Sequence, residues 1–392
     1  MVKRREKEMR VIREDKNLPI KMWLDDIEEG ALEQAKNLAR LPFAYKHIAL
    51  MPDCHQGYGM PIGGVLATEG VIIPNAVGVD IGCGMCAVKT SLRSITTDEL
   101  KIIVGKIREF IPVGFAHQKE KQDAGLLPYM ADGTCHLEIE NALYQIGTLG
   151  GGNHFIEIQK GSDGHIWIMI HSGSRNLGYK VAKYYNTIAK ELNKKWHSCV
   201  PPEFDLAFLP LDTTEGLKYL DEMNCCVEFA YANRKLMMST VLSIFGGLFS
   251  SIMCSSEVNI AHNYARIESH FGKNVMVHRK GATLARKDTI GIIPGSQGTK
   301  SYIVKGLGNP ESFHSCSHGA GRRLGRKQAQ RELDLNEQVA MLNSKGILHS
   351  IRSAKDLDEA PSAYKDIDAV MKNQEDLVEI LVELTPLAVV KG

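Results

Sequence analysis

Apolar and polar positions change period several times along this chain. Residues 20–40 (IKMWLDDIEEGALEQAKNLAR) set Ile27, Leu32, Ala35 and Leu38 on one side of a helix, with Asp25 or Asp26 available as its cap. The apolar run HIALM at 47–51 predicts a short strand, and residues 97–110 return to helical spacing. HIWIMIHSGSR at 165–175 is strand-like, and 176–253 is mostly helical, a hairpin or insertion broken by Pro201, Pro202 and Pro210. From residue 257 the β-type runs NVMVH, TIGIIPGS and SYIVKG follow. The spacing then predicts helix over 319–344, helix in pieces over 354–384, and a strand-like tail TPLAVVKG at 385–392. The longest apolar stretch, Leu236–Cys254, is long enough to span a membrane. Its Ser, Thr and Gly content, and the lack of a second such stretch, predict a buried helix instead.

Glycine interrupts these periods in blocks. Between Pro52 and Met85 it recurs at 57, 59, 63, 64, 70, 78, 82 and 84, separating runs such as GGVLAT and GVIIP, which predicts compact sheet and turn structure. A second block, GTLGGGNHFIE, spans 147–157, and others lie in the last third. Blocks this dispersed make one site only if a single α+β domain, residues 1–392, wraps around it.

Composition narrows the function. The chain has 392 residues, 44% apolar and 24% charged, which is the balance of a folded globular protein. A net charge of +1 excludes a global attraction to nucleic acid or anionic membrane, so any polyanion must meet a local patch. The opening MVKRREKEMRVIRED has no apolar run and no cleavage site, so a cytoplasmic protein is expected. Nine cysteines, an odd number with no export signal, predict reduced thiols rather than a disulfide framework.

The glycine blocks carry the candidate chemistry. Asp53 and His55, two apart, would share a face in a strand, although an Asp here also suits a plain turn. Asp80 and Cys83 are three apart within DIGCGMC, where a tight turn can aim both at one point. Cys83 and Cys86 form a CxxC. No second pair completes a zinc ribbon and no βαβ context supports a redox motif, so Cys86 reads as core. His154, His171 and His262 each stand at a Gly, Asn or Ser turn beside an apolar run, where a ligand is held rigidly. One Asp, one Cys and three His suit Zn, Mn or Co better than Mg or Ca, and a bridging thiolate would accommodate two ions. The stretch 294–301 (PGSQGTKS) lacks the spacing of a P-loop but could cradle a nucleotide with backbone N–H groups. His318 falls at an expected helix start beside Arg322, Arg323, Arg326 and Lys327, which suits either a phosphate or a solvated basic face.

Taken together these blocks resemble the RtcB family, GTP-dependent RNA ligases. The matching segments are MPDCHQGYGMPIGGV, IIPNAVGVDIGCGM, LGGGNHFIEI, HSGSRNLG, AHNYA, HRKGAT, PGSQGTKSY, SHGAGR and AVVKG, in family order from residue 51 to residue 392. The resemblance implies an α+β domain with mixed or antiparallel sheets around a central metal site, flanked by helices. It implies two Mn2+ ions, one on Asp80, Cys83 and His154 and the other on Cys83, His171 and His262. It implies GTP as co-substrate, His318 as the nucleophile that carries GMP, and GTP contacts from Asn153, Phe155, Glu157, Asn263, Pro294, Gly295, Ser296, Ser301, His318, Gly319, Ala320, Gly321 and Lys391. Arg175, Lys280 and Arg322 match basic positions for RNA or nucleotide phosphates, and Asp53 and His55 fall near the metals. The implied reaction joins an RNA 3′-phosphate or 2′,3′-cyclic phosphate to a 5′-hydroxyl, in tRNA splicing or in repair of tRNA or ribosomal RNA. An archease-type activating partner, no membrane, and a monomer go with it. Cys54 and Gln297 depart from the family pattern, which often has an aliphatic residue and a Met there.

Two other classes compete with this one. A metal-dependent phosphodiesterase acting on cyclic phosphate ends would use the same ligands with water as nucleophile, and leaves His318 unexplained. A non-catalytic RNA-binding protein fits poorly with a near-zero net charge. A lysine nucleotidyl transferase lacks its KxDG motif here.

Overall fold

The computed structural model describes residues 9–255 and 257–392; the first eight residues, part of the N-terminal segment considered above, lie outside them. Two sheets carry the architecture. The first has six strands in the order Arg10–Ile12, Ile20–Met22, Ala44–Tyr58, Met60–Thr68, Lys273–Lys280 and Asn263–His270. Its neighbours are antiparallel except Ile20–Met22, which runs parallel to Ala44–Tyr58. The second has seven strands, all antiparallel: Val258–Ala261, Gly84–Lys89, Ile166–Ser172, Phe155–Gly161, Val378–Lys391, Ser301–Gly306 and Ile290–Ile293. Ile166–Ser172 is buried along its whole length, which is why it reads as an unbroken apolar run rather than an alternating one.

Helices cover the sheets. Thr97–Phe110 forms as its spacing predicts: Thr96 and Glu99 make a reciprocal capping box, and Leu100, Ile103 and Ile107 face inward. The helical stretch after residue 175 consists of Arg175–Lys195 and the 33-residue helix Thr214–Gly246. Pro202 opens a 3-10 turn between them, and Pro210 ends a two-residue strand paired with Val71–Ile72. Met237, Met238, Val241, Ile244 and Phe245 pack against Ile103, Ile107 and the seven-stranded sheet. This apolar segment is therefore buried, and its helix stops at Gly246 rather than running on to Cys254. Among the described residues no helix is long and apolar enough to cross a membrane. The nine cysteines are free thiols, and Cys86 lies in the core. The chain is a single α+β domain, as expected.

Four expectations of local structure need correction. The helix placed at 20–40 begins at Glu29 with Glu28 at its N-cap, so neither Asp25 nor Asp26 caps it. Ile20 and Met22 instead pair with Ile48 and Leu50, where burial against a sheet outweighs helical spacing. The helix placed at 319–344 becomes Arg326–Glu332 and Leu335–Ser344, and His318 directly follows the strand Ser315–Ser317. The pieces over 354–384 are two 3-10 turns and the helix Ile367–Lys372; residues 378–384 belong to the long strand Val378–Lys391. Asp53 and His55 do share a strand, but register shifts on either side of His55 break its alternation.

Candidate metal centre and nucleotide pocket

The ends of neighbouring strands gather the metal-type residues. Cys83 immediately precedes Gly84–Lys89, and His154 immediately precedes Phe155–Gly161. His171 lies in the strand between those two, opposite Met85 on one side and Phe155 on the other. Antiparallel pairing thus brings three residues far apart in sequence to one edge. His262 is the residue at which the chain leaves the seven-stranded sheet for the six-stranded one. Its N–H donates to the Cys83 carbonyl at 2.8 Å, which ties that crossing to the same edge.

Two overlapping triads result, Asp80–Cys83–His154 and Cys83–His171–His262, and within each the ligand-type atoms lie within 4.8 Å of one another. The Cys83 Sγ is 3.5 Å from His154 Nε2 and 3.2 Å from His171 Nε2. His154 Nε2 is also 3.5 Å from Asp80 Oδ2. The far nitrogens are engaged: His154 Nδ1 pairs with the Leu149 carbonyl at 2.9 Å, and His171 Nδ1 with the Asn153 carbonyl at 3.0 Å. A ring whose Nδ1–H is given to a carbonyl presents its Nε2 lone pair, which is how metal-binding histidines are oriented.

The electrostatics fit a cation. Burial pushes His171 and His262 well below the usual imidazole range, so both are neutral donors. Burial, followed by the Asp80 charge, pushes the Cys83 thiol up, while Arg234 opposes. Protein groups alone therefore keep the thiol protonated; a bound metal would favour the thiolate. His262 Nδ1 is buried with no hydrogen-bond partner among the described residues. A sulfur, a carboxylate and three imidazoles converging on buried space suit one or two borderline divalent ions.

Next to this cluster stands His318, its ring centroid 4.9 Å from that of His262. Its Nδ1 is 2.6 Å from Asp53 Oδ2, and the same oxygen accepts from the backbone N–H of His318 at 3.0 Å and of Gly319 at 3.3 Å. Burial alone would raise Asp53, but the charge and hydrogen bond of His318 bring it below the usual range, so it is a carboxylate. The backbone N–H groups of His318 and Gly319 therefore serve Asp53. The turn that permits this needs glycine: Gly321 has φ +74°, and a Cβ there would lie 2.3 Å from the Asp53 carbonyl oxygen.

A pocket opens from His318. His55, Asn153, Phe155, Glu157, His171, Pro294, Gly295, Ser296, Gly319, Ala320, Gly321, Arg322 and Lys391 line it, so most of the expected nucleotide contacts meet there. Phe155 packs edge-on to His171, ring centroids 5.5 Å apart. The turn at 294–301 is held by its own hydroxyls: Thr299 Oγ1 accepts from Ser296 N at 2.7 Å, and Ser301 Oγ from Gly295 N at 3.1 Å. Burial raises the Glu157 carboxyl to about 8, against the opposing pull of Gln159 and Lys391.

Other expected contacts lie outside the pocket lining. Asn263 joins backbones, donating to the Asp80 carbonyl at 3.1 Å and accepting from Gly281 N at 2.7 Å. Ser301 lies behind its turn. The Lys280 ammonium is buried on the carbonyls of Tyr58 at 2.6 Å and Asn75 at 2.9 Å. Arg175 donates to Thr148 Oγ1 at 3.0 Å and to the Gly114 carbonyl at 3.2 Å.

The family model described as "tRNA-splicing ligase RtcB" matches residues 34–134 and 124–392. The chain belongs to the RtcB family. It is 40% identical to the "RNA-splicing ligase RtcB" of Escherichia coli (strain K12), over 96% of this chain and 98% of that one. It is 34% identical to the "tRNA-splicing ligase RtcB" of Thermococcus kodakarensis, over 93% and 92% respectively, and 31% identical to the "RNA-splicing ligase RtcB" of Mycobacterium bovis, over 92% and 100%.

Several residues of this RtcB-family site escaped sequence reasoning. Glu359 lines the pocket and binds Lys391 Nζ at 2.9 Å and Arg322 Nη1 at 3.1 Å, with the Tyr364 hydroxyl donating to it as well. Burial would raise it, yet Lys391 and Arg322 bring it down to about 2. It lies among several acidic residues in DLDEAP, and nothing local marks it out. Asn233 and Arg234, midway along the helix Thr214–Gly246, reach the loops that carry the two triads. Asn233 accepts from Gly147 N at 2.7 Å and donates to the Thr148 carbonyl at 3.1 Å and the Gly173 carbonyl at 3.2 Å. Arg234 donates to the carbonyls of Gly82 and Ser172, both at 2.9 Å. Buried polar residues inside an apolar helical stretch were the available signal. Of the two departures from the family pattern, Cys54 is core, and Gln297 lines the pocket and donates to the Glu359 carbonyl at 2.9 Å.

Proposed function

We propose that this chain is an RNA ligase that joins a 3′-phosphate or 2′,3′-cyclic phosphate end to a 5′-hydroxyl end with GTP and Mn2+, through GMP carried on His318. Family membership supports the RNA ligase class. The observation that carries the finer reading is the Asp53–His318 pair, set beside the two metal-type triads and the pocket that opens from His318. A hydrolase would use the same pair as a general base on water, and the two readings part at whether GMP is carried on His318.

In this reading Asp80, Cys83 and His154 would hold one manganese ion, and Cys83, His171 and His262 the other. Bound there, the ions supply positive charge against the phosphate oxygens. Asp53 holds the Nδ1 proton and so directs the Nε2 lone pair of His318 into the pocket. His318 Nε2 attacks the α-phosphorus of GTP; the N–P bond forms, and pyrophosphate leaves with the electrons of the broken P–O bond. Asp53 stabilises the cationic ring that results. Lys391 reaches guanine acceptors, Glu157 presents a carboxyl to the guanine N–H edge, and Glu359 positions Lys391.

An oxygen of the RNA 3′-phosphate then attacks the GMP phosphorus, the N–P bond breaks, and His318 returns to its neutral form. Finally the 5′-hydroxyl attacks the RNA 3′-phosphate, losing its proton to water, and GMP departs. A cyclic end is first opened by water, with cleavage of the bond to the 2′-oxygen. A cytoplasmic monomer assisted by an archease-type activator goes with this reading on the family resemblance alone.

Mass spectrometry after incubation with GTP and Mn2+ tests it. A mass increase of one GMP, mapped to His318 and lost in His318→Ala, is expected. An adduct that survives in His318→Ala would sink the assignment, and hydrolysis of cyclic phosphate RNA with no joined product would favour the phosphodiesterase.

A further inference from the structure

Phe115 is fully exposed, at 100%. A lone apolar side chain on a surface needs no explanation, but this one stands on a pinned backbone beside the site. Leu149 N donates to the Pro112 carbonyl and Gly114 N to the Gly150 carbonyl, both at 2.9 Å, and Val113 bridges to Gly150. Arg175 clamps the same place, bonded at once to the Gly114 carbonyl and to Thr148. The ring is thus held out from a backbone fixed to the loop that leads into Asn153 and His154.

On that loop Gly151 is exposed, whereas Gly150 is buried, with the Arg175 guanidinium and Gly392 packed on it. Gly150, Gly151 and Gly152 carry no side chains, and Gly150 has φ +91° with no room for one: a Cβ there would lie 2.6 Å from His154 Nδ1. At the other end of the strip, a Cβ on Gly152 would lie 2.8 Å from Arg326 Nη1. Arg326 is half exposed, and Glu359, 3.9 Å from it, is already engaged more closely by Arg322 and Lys391. An exposed ring on a fixed backbone, an exposed glycine on the loop that leads to His154 and an incompletely neutralised guanidinium against Gly152 match the needs of a single-stranded RNA end: a base to stack, a backbone to pass and a phosphate to pair.

We propose that Phe115 is the stacking platform for an unpaired nucleobase at the RNA end whose phosphate or hydroxyl enters the metal centre. The inference rests on the ligase reading and names one positioning residue for its substrate.

The test uses the full chain, a 3′-phosphate RNA and a 5′-hydroxyl RNA, with Phe115→Ala and Phe115→Tyr. Phe115→Ala should raise the KM for RNA by roughly 5- to 100-fold, the range for loss of one base stack, while GMP adduct formation stays within about twofold. Phe115→Tyr should restore the KM. An abasic nucleotide at the reacting end of one strand should weaken the wild type and leave Phe115→Ala unaffected, and whichever strand shows this is the one that stacks. An unchanged KM in Phe115→Ala, or equal sensitivity of both proteins to abasic ends on either strand, overturns the proposal. If the wild type joins no RNA, the ligase reading fails instead. Fluorescence anisotropy of labelled RNA, which needs no turnover, then decides on stacking by the same comparison of intact and abasic strands.

Discussion

Asp53 Oδ2 lies 2.6 Å from His318 Nδ1, across 265 residues of sequence, and the same oxygen accepts two backbone N–H groups. The carboxylate is fully buried and its second oxygen has no hydrogen-bond partner among the described residues, so its charge is directed at the ring and its adjoining backbone. Asp53→Asn keeps the shape and removes the charge. The rate of GMP incorporation should fall by at least about 10²-fold, the scale on which a positioned proton-handling group contributes, while bound manganese is unchanged. Quench-flow labelling with GTP and elemental analysis read the two quantities, and an unchanged labelling rate would remove Asp53 from the mechanism.

Cys83 belongs to both triads, whereas His262 belongs to one. Cys83→Ser should therefore release both metal ions on dialysis against a weak chelator, and His262→Ala one. Metal content per chain by elemental analysis distinguishes a shared thiolate from two independent sites. Full retention of two ions by Cys83→Ser would contradict sharing.

Arg234 is fully buried and holds the carbonyls of Gly82 and Ser172, each next to a candidate metal ligand. Arg234→Met leaves those acceptors unpaired. It should destabilise the fold by about 1–3 kcal/mol and weaken metal binding by about 10–100-fold. Urea unfolding and metal titration measure the two. A stability loss with no change in affinity would make the arginine purely structural.

Burial lowers the Lys280 ammonium from 10.5 to about 7, with Asp205 opposing. Between these values the unfolded chain holds a proton that the folded chain has shed, so unfolding takes up a proton. Stability should therefore rise with pH from about 7 towards 10.5 and gain nothing from this group below 7. Lys280→Met should flatten that rise. Urea midpoints from pH 6.5 to 10 compare the two slopes, and parallel profiles would mean that Lys280 keeps its proton throughout.

Much of the site was legible along the chain because its parts carry local marks. A metal ligand must be held rigidly, and DIGCGM, GGGNHF and IHSGS show this as reactive residues set in glycine or at strand edges. The helix Thr97–Phe110 was legible for the same reason, since its cap and its apolar stripe both lie within it. Glu359, Asn233 and Arg234 carry no such mark. Glu359 binds Lys391, Asn233 binds Gly147 and Arg234 binds Gly82, all far off in sequence, and the single local hint was a pair of polar residues inside the apolar stretch around Asn233 and Arg234.

The sequence by itself determined the inventory: an α+β chain, the residue types that suit borderline metal ions and, through the family resemblance, His318 as the nucleophile to test. Tertiary structure decided which of these meet and what each one does. Strand pairing in the seven-stranded sheet aligns Cys83, His154 and His171, and the crossing between sheets adds His262. Packing of Gly321 on Asp53 replaced the helix expected after His318 with a turn and made Asp53 the partner of that ring. Helix and turn signals are local energies of about 1 kcal/mol, whereas burying a carboxylate is favourable only beside its distant partner.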